Sequence, residues 1–326
     1  MKALALFSGG LDSALAVKLV QQQGIDVVAV NFASPFCLCG KGGGGAPGLA
    51  KQLGIPIKVV RVGRGYLGVL RKPKYGYGRN MNPCIDCRIF MFKKALRILK
   101  SIEASFMFTG EVLNERPMSQ RMKALKIIEK ETGLEGKILR PLSAKLLPET
   151  EAEKRGWVDR EKLLGISGRS RKEQIQLAKD LNIRDYPCPA GGCLLTYKEF
   201  AAKVRDLFEH KKQVTVDDID LLKIGRHFRF GKNKIVVGRN EAENRQLMGL
   251  RGRFDYCFEV PDCGSPIALL QGRKTKAAVT KAAALALRYS DLKRGEATVN
   301  FGREKMDAQI VVSAADYREV EKLRIK

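Results

Sequence analysis

The sequence predicts an α/β protein: a doubly wound parallel sheet followed by a second, smaller α+β domain. Three observations carry this. Short apolar runs alternate with helical segments through the first hundred or so residues, the pattern of consecutive βαβ units. Ser8-Gly9-Gly10-Leu11-Asp12-Ser13 lies between the first strand and the first helix, where such sheets place anion sites. The chain has 326 residues, more than one typical domain, and its hydrophobic content of 44% is enough for real cores. The expected domains are residues 1–198 and 199–326.

Residues 2–7 form an apolar run that reads as a buried parallel strand. Gly9 and Gly10 let the backbone take positive φ and approach a phosphate closely. A helix is expected over residues 14–23, closed by Gly24, with its unpaired N–H groups pointing into the loop. Ser8 and Ser13 add hydroxyl donors. Asp12 cannot favour a bare phosphate and makes sense facing a Mg2+ ion bound with a nucleotide. The loop lacks the lysine of a Walker A sequence, so it is not of that type. Residues 26–32 are a second strand, 41–48 a glycine-rich loop, 49–53 a short helix and 57–62 a third strand. Residues 89–99 are helical, and 104–109 form a fourth strand ending at Gly110. Phe32 and Thr109-Gly110-Glu111 thus fall at carboxyl ends of strands, where such sheets bind ligands. Phe32 there either covers an adenine ring or is a core aromatic.

Lys and Arg number 60 against 35 Asp and Glu, a formal charge of +25. A surface enriched in charge for heat resistance would raise both signs together. The imbalance instead calls for a polyanionic partner, most simply nucleic acid. No apolar run is long enough to span a membrane, and the glycine loop follows the first strand at once, unlike a signal peptide. A cytoplasmic location is expected, where cysteines stay reduced. The eight cysteines then read as metal ligands or chemical groups rather than disulfides.

Asn82-Pro83-Cys84-Ile85-Asp86-Cys87-Arg88 opens a helix. A C-x-x-C pair can hold an iron–sulfur cluster or zinc, or serve in redox exchange. A helix N-terminus and a neighbouring Arg88 are expected to lower a thiol pKa. Pro187-Cys188-Pro-Ala-Gly-Gly-Cys193 follows far downstream. Structural zinc would need a fourth ligand. His210 and His227 lie outside the sheet domain, so zinc would have to recruit Cys188, Cys37 or Cys39. Three thiolates with an open fourth position suit a [4Fe-4S] cluster that takes an exogenous ligand at its unique iron. Cys37 and Cys39 flank the glycine loop as spare thiols, and Cys257 and Cys263 read as structural or incidental.

The Ser8-to-Ser13 loop resembles the pyrophosphatase loop of the N-type ATP pyrophosphatases. Residues 1–196 resemble the catalytic domain of tRNA thiolation enzymes, most of all the tRNA 4-thiouridine synthetases. The resemblance rests on Gly110-Glu111-Val-Leu113-Asn-Glu115-Arg-Pro-Met-Ser119-Gln120, with Glu115 replacing a family Gln, and on Cys87-Arg88. It rests also on Arg140-Pro141-Leu142 and Lys172-Glu173-Gln-Ile175-Gln-Leu-Ala178. Cys193 falls where that family has its second catalytic or cluster cysteine. The 2-thiouridine synthetases have a similar Asn-Pro-x-x-x-Cys and Gly-x-Cys pair. The resemblance implies an adenine nucleotide alpha-hydrolase-like PP-loop fold. It implies ATP and Mg2+ at Ser8, Gly9, Gly10, Asp12 and Ser13, with Phe32, Gly110 and Gln120. It implies a [4Fe-4S] cluster on Cys84, Cys87 and Cys193, and catalytic roles for Asp12, Cys87 and Cys193. The implied activity is adenylation of a tRNA uridine and replacement of its carbonyl oxygen by sulfur, giving 4-thiouridine. The alternatives are a 2-thiouridine synthetase using a cysteine persulfide, through Cys87 and Cys193, and a different adenylating ligase on the same fold. Sulfide or a cysteine desulfurase would donate sulfur. Residues 143–167 read as an insertion between the matching segments. The RNA-binding region that precedes the loop in the usual 4-thiouridine enzyme is missing here, so another part of the chain is expected to bind tRNA.

That part is the region from about residue 200. Residues 200–210 look helical, two strands flank a Gly-Lys-Asn turn within 225–244, and residues 264–272 are another strand. A Lys/Ala-rich helix then runs to about Tyr289. Val236-Val237-Gly238-Arg239-Asn240, Asn244 and the Ala-rich run to Tyr289-Ser290 resemble the NFACT-type RNA-binding domain. Arg226, Arg229 and Arg239 are expected on phosphates, with Phe228, Phe230 and Tyr289 nearby for stacking. The expected partners are tRNA and a sulfur donor, with no membrane; a homodimer is left open.

Overall fold

The computed structural model describes residues 1–38, 45–186, 192–293 and 295–326. These form two compact units, Met1–Thr196 and Tyr197–Lys326.

In the first unit, β1 (Lys2–Leu6), β2 (Asp26–Ala33), β3 (Ile57–Arg61), β4 (Phe106–Thr109) and β5 (Ile138–Leu139) make a wholly parallel sheet in the order β3-β2-β1-β4-β5. Side chains alternate across β1. Ala3 and Ala5 join the apolar cluster of α1 (Leu11–Gln21), α2 (Gly45–Gln52) and the segment beyond residue 150. Leu4 and Leu6 join the opposite cluster, with Ile89, Phe92 and Ile128. A strand buried on both faces must be apolar throughout, which is why 2–7 is a continuous run. The order reverses between β1 and β4, and the crevice beyond their carboxyl ends is the switch point where such sheets take ligands.

Several boundaries differ from the sequence reading, and each difference has a packing cause. Helix α1 starts at Leu11, a turn earlier than expected, because buried Leu11, Leu15 and Val17 carry its apolar face back into the loop. Helix α2 begins inside the expected glycine loop, where Ala46 seats against Gly9. A third helix, α3 (Arg64–Arg71), was hidden by Gly65 and Gly68 and forms by burying Tyr66, Leu67 and Leu70. Helix α4 (Cys84–Ser101) starts at the first cysteine, and α5 (Met122–Thr132) follows β4.

Residues 143–167 are no loose insertion. They include α6 (Glu151–Lys154), opened by a Thr150/Glu153 capping box, and they bury Ala152, Val158, Leu163 and Ile166 in the core. Ser143 Oγ donates to Ile166 O at 2.7 Å and accepts from Leu113 N at 2.9 Å. The Gly168 N–H donates to Leu113 O at 2.8 Å. These bonds tie the segment to the loop after β4 and deliver α7 (Lys172–Asp180) to the crevice edge.

The second unit opens with α8 (Lys198–His210) and α9 (Val216–Leu222). It then carries β6 (Arg226–Phe230), β7 (Asn233–Val237), α10 (Glu241–Leu250), β8 (Tyr256–Glu259), β9 (Ala268–Gln271), α11 (Lys276–Arg288), β10 (Glu296–Gly302), β11 (Ala308–Ser313) and α12 (Tyr317–Leu323). Its antiparallel sheet runs β11-β10-β8-β9-β7-β6. Ile235 and Val237 pack on α11, while Val236 packs with Leu221 and Leu247 of α9 and α10 on the other face. Among the described residues, no helix is long and apolar enough to cross a membrane.

Candidate functional site

The loop between β1 and α1 is built for close approach. Gly9 has φ of +76°, and a Cβ there would sit 2.6 Å from Ala46 Cα. Among the described residues no side chain caps α1, so its first-turn N–H groups are left for a ligand. Ser13 Oγ donates to Gly10 O at 2.8 Å, and Gly10 N–H donates to Ser8 Oγ at 3.3 Å, which fixes the turn from within. Gly110, at the end of β4, presses on the same helix start. A Cβ on it would lie 2.5 Å from the carbonyl carbon and oxygen of Asp12 and from the nitrogen of Ser13. All three contacts are backbone and cannot rotate away. Gly110→Ala is therefore expected to cost about 1–3 kcal/mol of stability and to weaken nucleotide binding, as measured by urea unfolding and ATP titration.

Asp12 sits in the first turn of α1 with its Oδ1 buried and without a hydrogen-bond partner among the described residues. Burial pushes its carboxyl above the usual range, against the opposing charges of Arg171 and Arg116. Glu115 is pushed up in the same way, first by burial and then by the charge of Asp12, and its Oε2 is likewise unpartnered. Arg171 spans the pair: its Nη1 is 3.5 Å from Asp12 Oδ2 and its Nη2 bonds Glu115 Oε1. A half-buried Asp12 and a buried Glu115, each with a buried unpartnered oxygen, beside a helix N-terminus suit a divalent cation carried with a polyphosphate. Sequence reasoning missed Glu115 and Arg171 as site residues. The signal was present only as the family's Gln replaced by Glu115, a change that adds a charge.

Cys84 and Cys87 lie one turn apart in α4. Cys84 Sγ donates to Asn82 Oδ1 at 3.2 Å, and Tyr66 Oη donates to Cys87 Sγ at 3.3 Å. Cys193 arrives from far along the chain. Leu194 N–H donates to Phe36 O at 2.8 Å and Leu38 N–H to Gly192 O at 3.1 Å, while Met81 N–H donates to Leu195 O at 3.2 Å. These bonds stitch the Cys193 segment both to the end of β2 and to the turn before α4. The expected lowering of the thiol pKa values is not found. Burial raises Cys84, Cys87 and Cys193, the last to about 12, and outweighs the charges of Arg88 and Arg116. Arg88 is itself held by Glu111, which is 3.2 Å away and also binds Arg140 at 3.1 Å.

One cleft of about 230 Å³ brings together Ser8, Gly10, Asp12, Phe32, Cys84, Cys87 and Cys193, with Cys37, Arg88 and Arg116. Phe32 both lines this cleft and packs on the core below it. Gly9, Ser13 and Gly110 stand behind the lining and shape the loop. Gln120 is also placed behind it: it is buried, and its Oε1 accepts from Arg116 N at 2.8 Å, shaping the loop that carries Arg116. Cys39 and Cys188 lie outside the described residues. Cys257 is buried in β8, and Cys263 lies in the second unit with it. Among the described residues, no three His, Cys, Asp or Glu side chains converge to hold one metal ion. In a cubane each thiolate binds a different iron, so three sulfurs around one cleft need not meet at a point.

Cys37, read from the sequence as a spare thiol near the site, has a partner that the sequence hid. It pairs with Cys193 across an antiparallel bridge. The two flanking bonds join residues 38 to 192 and 194 to 36, which makes Cys37 and Cys193 a non-hydrogen-bonded pair. Such pairs have Cα atoms about 4.5 Å apart, within the span a disulfide can bridge.

In the second unit the three arginines expected on phosphates are engaged internally. Arg229 Nε and Nη2 make a two-point contact with Asp206 at 2.8 and 2.5 Å. Arg239 Nε bonds Glu243 at 2.9 Å. Arg226 donates to Gly238 O at 3.2 Å and lies over the Tyr289 ring at 4.5 Å. Phe228, expected near a stacking surface, is fully buried in the core.

A parallel sheet with a glycine loop and a helix N-terminus at its switch point is a HUP-type, PP-loop-like fold, here followed by an antiparallel-sheet domain. Residues 1–132 match the family model of the tRNA methyl transferase HUP domain, and residues 225–324 that of the NFACT protein RNA binding domain. No curated protein matches. Among solved structures, the chain is similar to a 4-thiouridine synthetase–RNA complex with bound ATP (22% identity, 68% of this chain and 52% of that one, TM-score 0.38). It is also similar to the predicted subunit of tRNA methyltransferase from Methanocaldococcus jannaschii (18% identity, 55% and 76%, TM-score 0.33). A third is the U34-tRNA thiolase NcsA from Methanococcus maripaludis with its [4Fe-4S] cluster (18% identity, 64% and 65%, TM-score 0.32).

Proposed function

We propose that this protein is an ATP-dependent tRNA sulfurtransferase of the cytoplasm, which adenylates a tRNA uridine and replaces its carbonyl oxygen by sulfur. The observation that carries the reading is the single cleft in which the anion-binding loop, Asp12 and three thiols meet. The triphosphate of ATP would lie on the first-turn N–H groups of α1, and Asp12 with Glu115 would hold the accompanying Mg2+, whose charge would offset that of the phosphates. The uridine oxygen attacks the α-phosphorus, the bond to the β-phosphate oxygen breaks, and pyrophosphate leaves. The loop amides, fixed by the Ser8 and Ser13 bonds, stabilise the charge that develops on it. Arg116 and Arg88 add positive charge to the cleft wall. Sulfur then attacks the activated ring carbon and AMP departs with the oxygen. Cys84, Cys87 and Cys193 would hold a [4Fe-4S] cluster, which when bound supplies an open iron position for sulfide. The product proposed on this route is 4-thiouridine.

A second reading has its own observation, the pairing of Cys37 with Cys193. A cysteine desulfurase would load Cys193 as a persulfide, whose terminal sulfur attacks the activated carbon as AMP leaves. The Cys37 thiolate would then attack Cys193 Sγ, releasing the thiolated base and leaving a Cys37–Cys193 disulfide for a dithiol reductant to reopen. No external oxidant is needed, because the persulfide carries the oxidised sulfur. This route is the 2-thiouridine alternative. Mass analysis of tRNA nucleosides, with and without the protein, ATP and a sulfur source, tests both readings. A thiolated uridine that requires ATP is expected. ATP turnover without tRNA and without any thiolated base would return the chain to the adenylating ligases.

A further inference from the structure

The cations of the second unit fall into two groups. Arg229 and Arg239 are tied to Asp206 and Glu243, as described above. A second group is held against aromatic faces instead. At the N-terminal end of β8, Arg253 and Arg303 each place Cζ 5.8 Å from the centre of the Phe254 ring. Arg303 also lies 4.8 Å from the Tyr256 ring, and Lys274 lies 4.7 Å from it on the other strand neighbour. The topology explains the convergence. Tyr256 pairs with Leu270 of β9, and Cys257 pairs with Gly302 of β10, so Lys274 and Arg303 leave the sheet beside the start of β8.

Three properties set this edge apart. Phe254 is 68% exposed, among the most exposed large apolar side chains described. Arg253, Lys274 and Arg303 are exposed, and none makes an ion pair among the described residues. The edge is also fixed in place: Asp255 Oδ2 accepts from Gly252 N at 2.8 Å and from Gln271 Nε2 at 2.9 Å, and Arg251 Nη1 donates to Arg303 O at 2.9 Å. An aromatic face open to solvent and flanked by uncompensated cations is complementary to a base stacked over a phosphate backbone.

We propose that Phe254, Tyr256, Arg253, Lys274 and Arg303 form a stacking platform for unpaired bases of an RNA strand, with the three cations on the adjacent phosphates. The platform rests on the reading of this unit as RNA-binding and moves its contact surface away from Arg226, Arg229 and Arg239.

The test is fluorescence anisotropy with the full chain, a labelled single-stranded oligoribonucleotide and a salt titration. Phe254→Ala removes an exposed ring and leaves the core intact. It is expected to weaken binding about tenfold or more with the salt slope unchanged. Arg253→Ala with Arg303→Ala is expected to flatten the slope by about 1.4, at about 0.7 per lost phosphate contact. A duplex of the same sequence is expected to bind without sensitivity to Phe254→Ala. If wild type binds the single strand and Phe254→Ala binds equally well, the platform is overturned while the RNA-binding reading stands. If duplex binding depends on Phe254 to the same extent, unpaired bases are not what the edge takes. If wild type binds no RNA, the reading of the whole unit falls, and the platform with it.

Discussion

Asp12→Ala is expected to lower tRNA-dependent pyrophosphate release by about 100-fold or more, the scale seen when one preorganised electrostatic contact to a reacting group is removed. The carboxylate stands in a loop otherwise built to bind anions, with Oδ1 buried and unpartnered, next to Glu115 in the same condition. The fold should survive the change. Burial raises the pKa of Asp12, so its folded-state pKa lies above its unfolded value. The ionised side chain is then disfavoured in the folded protein at neutral pH, and removing it relieves that penalty. The expected thermal midpoint is equal to or above that of wild type. Asp12→Asn separates charge from shape: it keeps the side-chain volume, and it should be as inactive as alanine if the carboxylate holds Mg2+. The raised pKa values of Asp12 and Glu115 give a further sign. Protons compete with a metal at these groups, so the Mg2+ affinity of the nucleotide-free protein should fall as pH drops, and at higher pH than for unperturbed carboxylates. Turnover near the wild-type rate in either variant would remove Asp12 from the chemistry.

How much of this was legible in the sequence depends on the range of the interaction. The β1–loop–α1 unit was readable because a doubly buried strand must be apolar throughout and because Gly9 and Gly10 mark the turn. The parallel sheet followed from the alternation of strand and helix. Arg171 was not readable as a partner of Asp12, because it reaches the crevice only through the packed segment 143–167, which the sequence presented as an insertion. The thiol pKa values went the wrong way for a related reason: Arg88 is visible beside Cys87, but burial is not, and burial dominates. Arg229 and Arg239 were expected on phosphates because a sequence shows charges without their partners. Asp206 and Glu243 claim these arginines, which leaves Arg253 and Arg303, with no pattern of their own, as the exposed cations beside an exposed ring.

The cysteines separate the two sulfur routes, because each route makes a different member dispensable. Cys193→Ser is expected to abolish thiolation on both, while tRNA-dependent pyrophosphate release continues, since the phosphate-binding loop and Asp12 are untouched. Cys84→Ser is decisive for the cluster. Protein prepared anaerobically with iron should be brown and hold about four irons, and this variant should lose the colour and the thiolation together. On the persulfide route Cys84 has no role, and Cys84→Ser would thiolate normally. Cys37→Ser gives the opposite pattern. It spares the cluster ligands, so colour and thiolation persist if sulfide is delivered at iron. If Cys37 resolves the Cys193 persulfide, it stops turnover after the sulfur reaches the base and leaves tRNA covalently joined to Cys193. Peptide mapping of wild type after a single turnover should then show Cys37 linked to Cys193, which the antiparallel bridge places opposite each other. Equal loss of activity in the Cys37 and Cys84 variants, with neither iron nor that disulfide detected, would sink both routes and leave the thiols as packing around a nucleotide site.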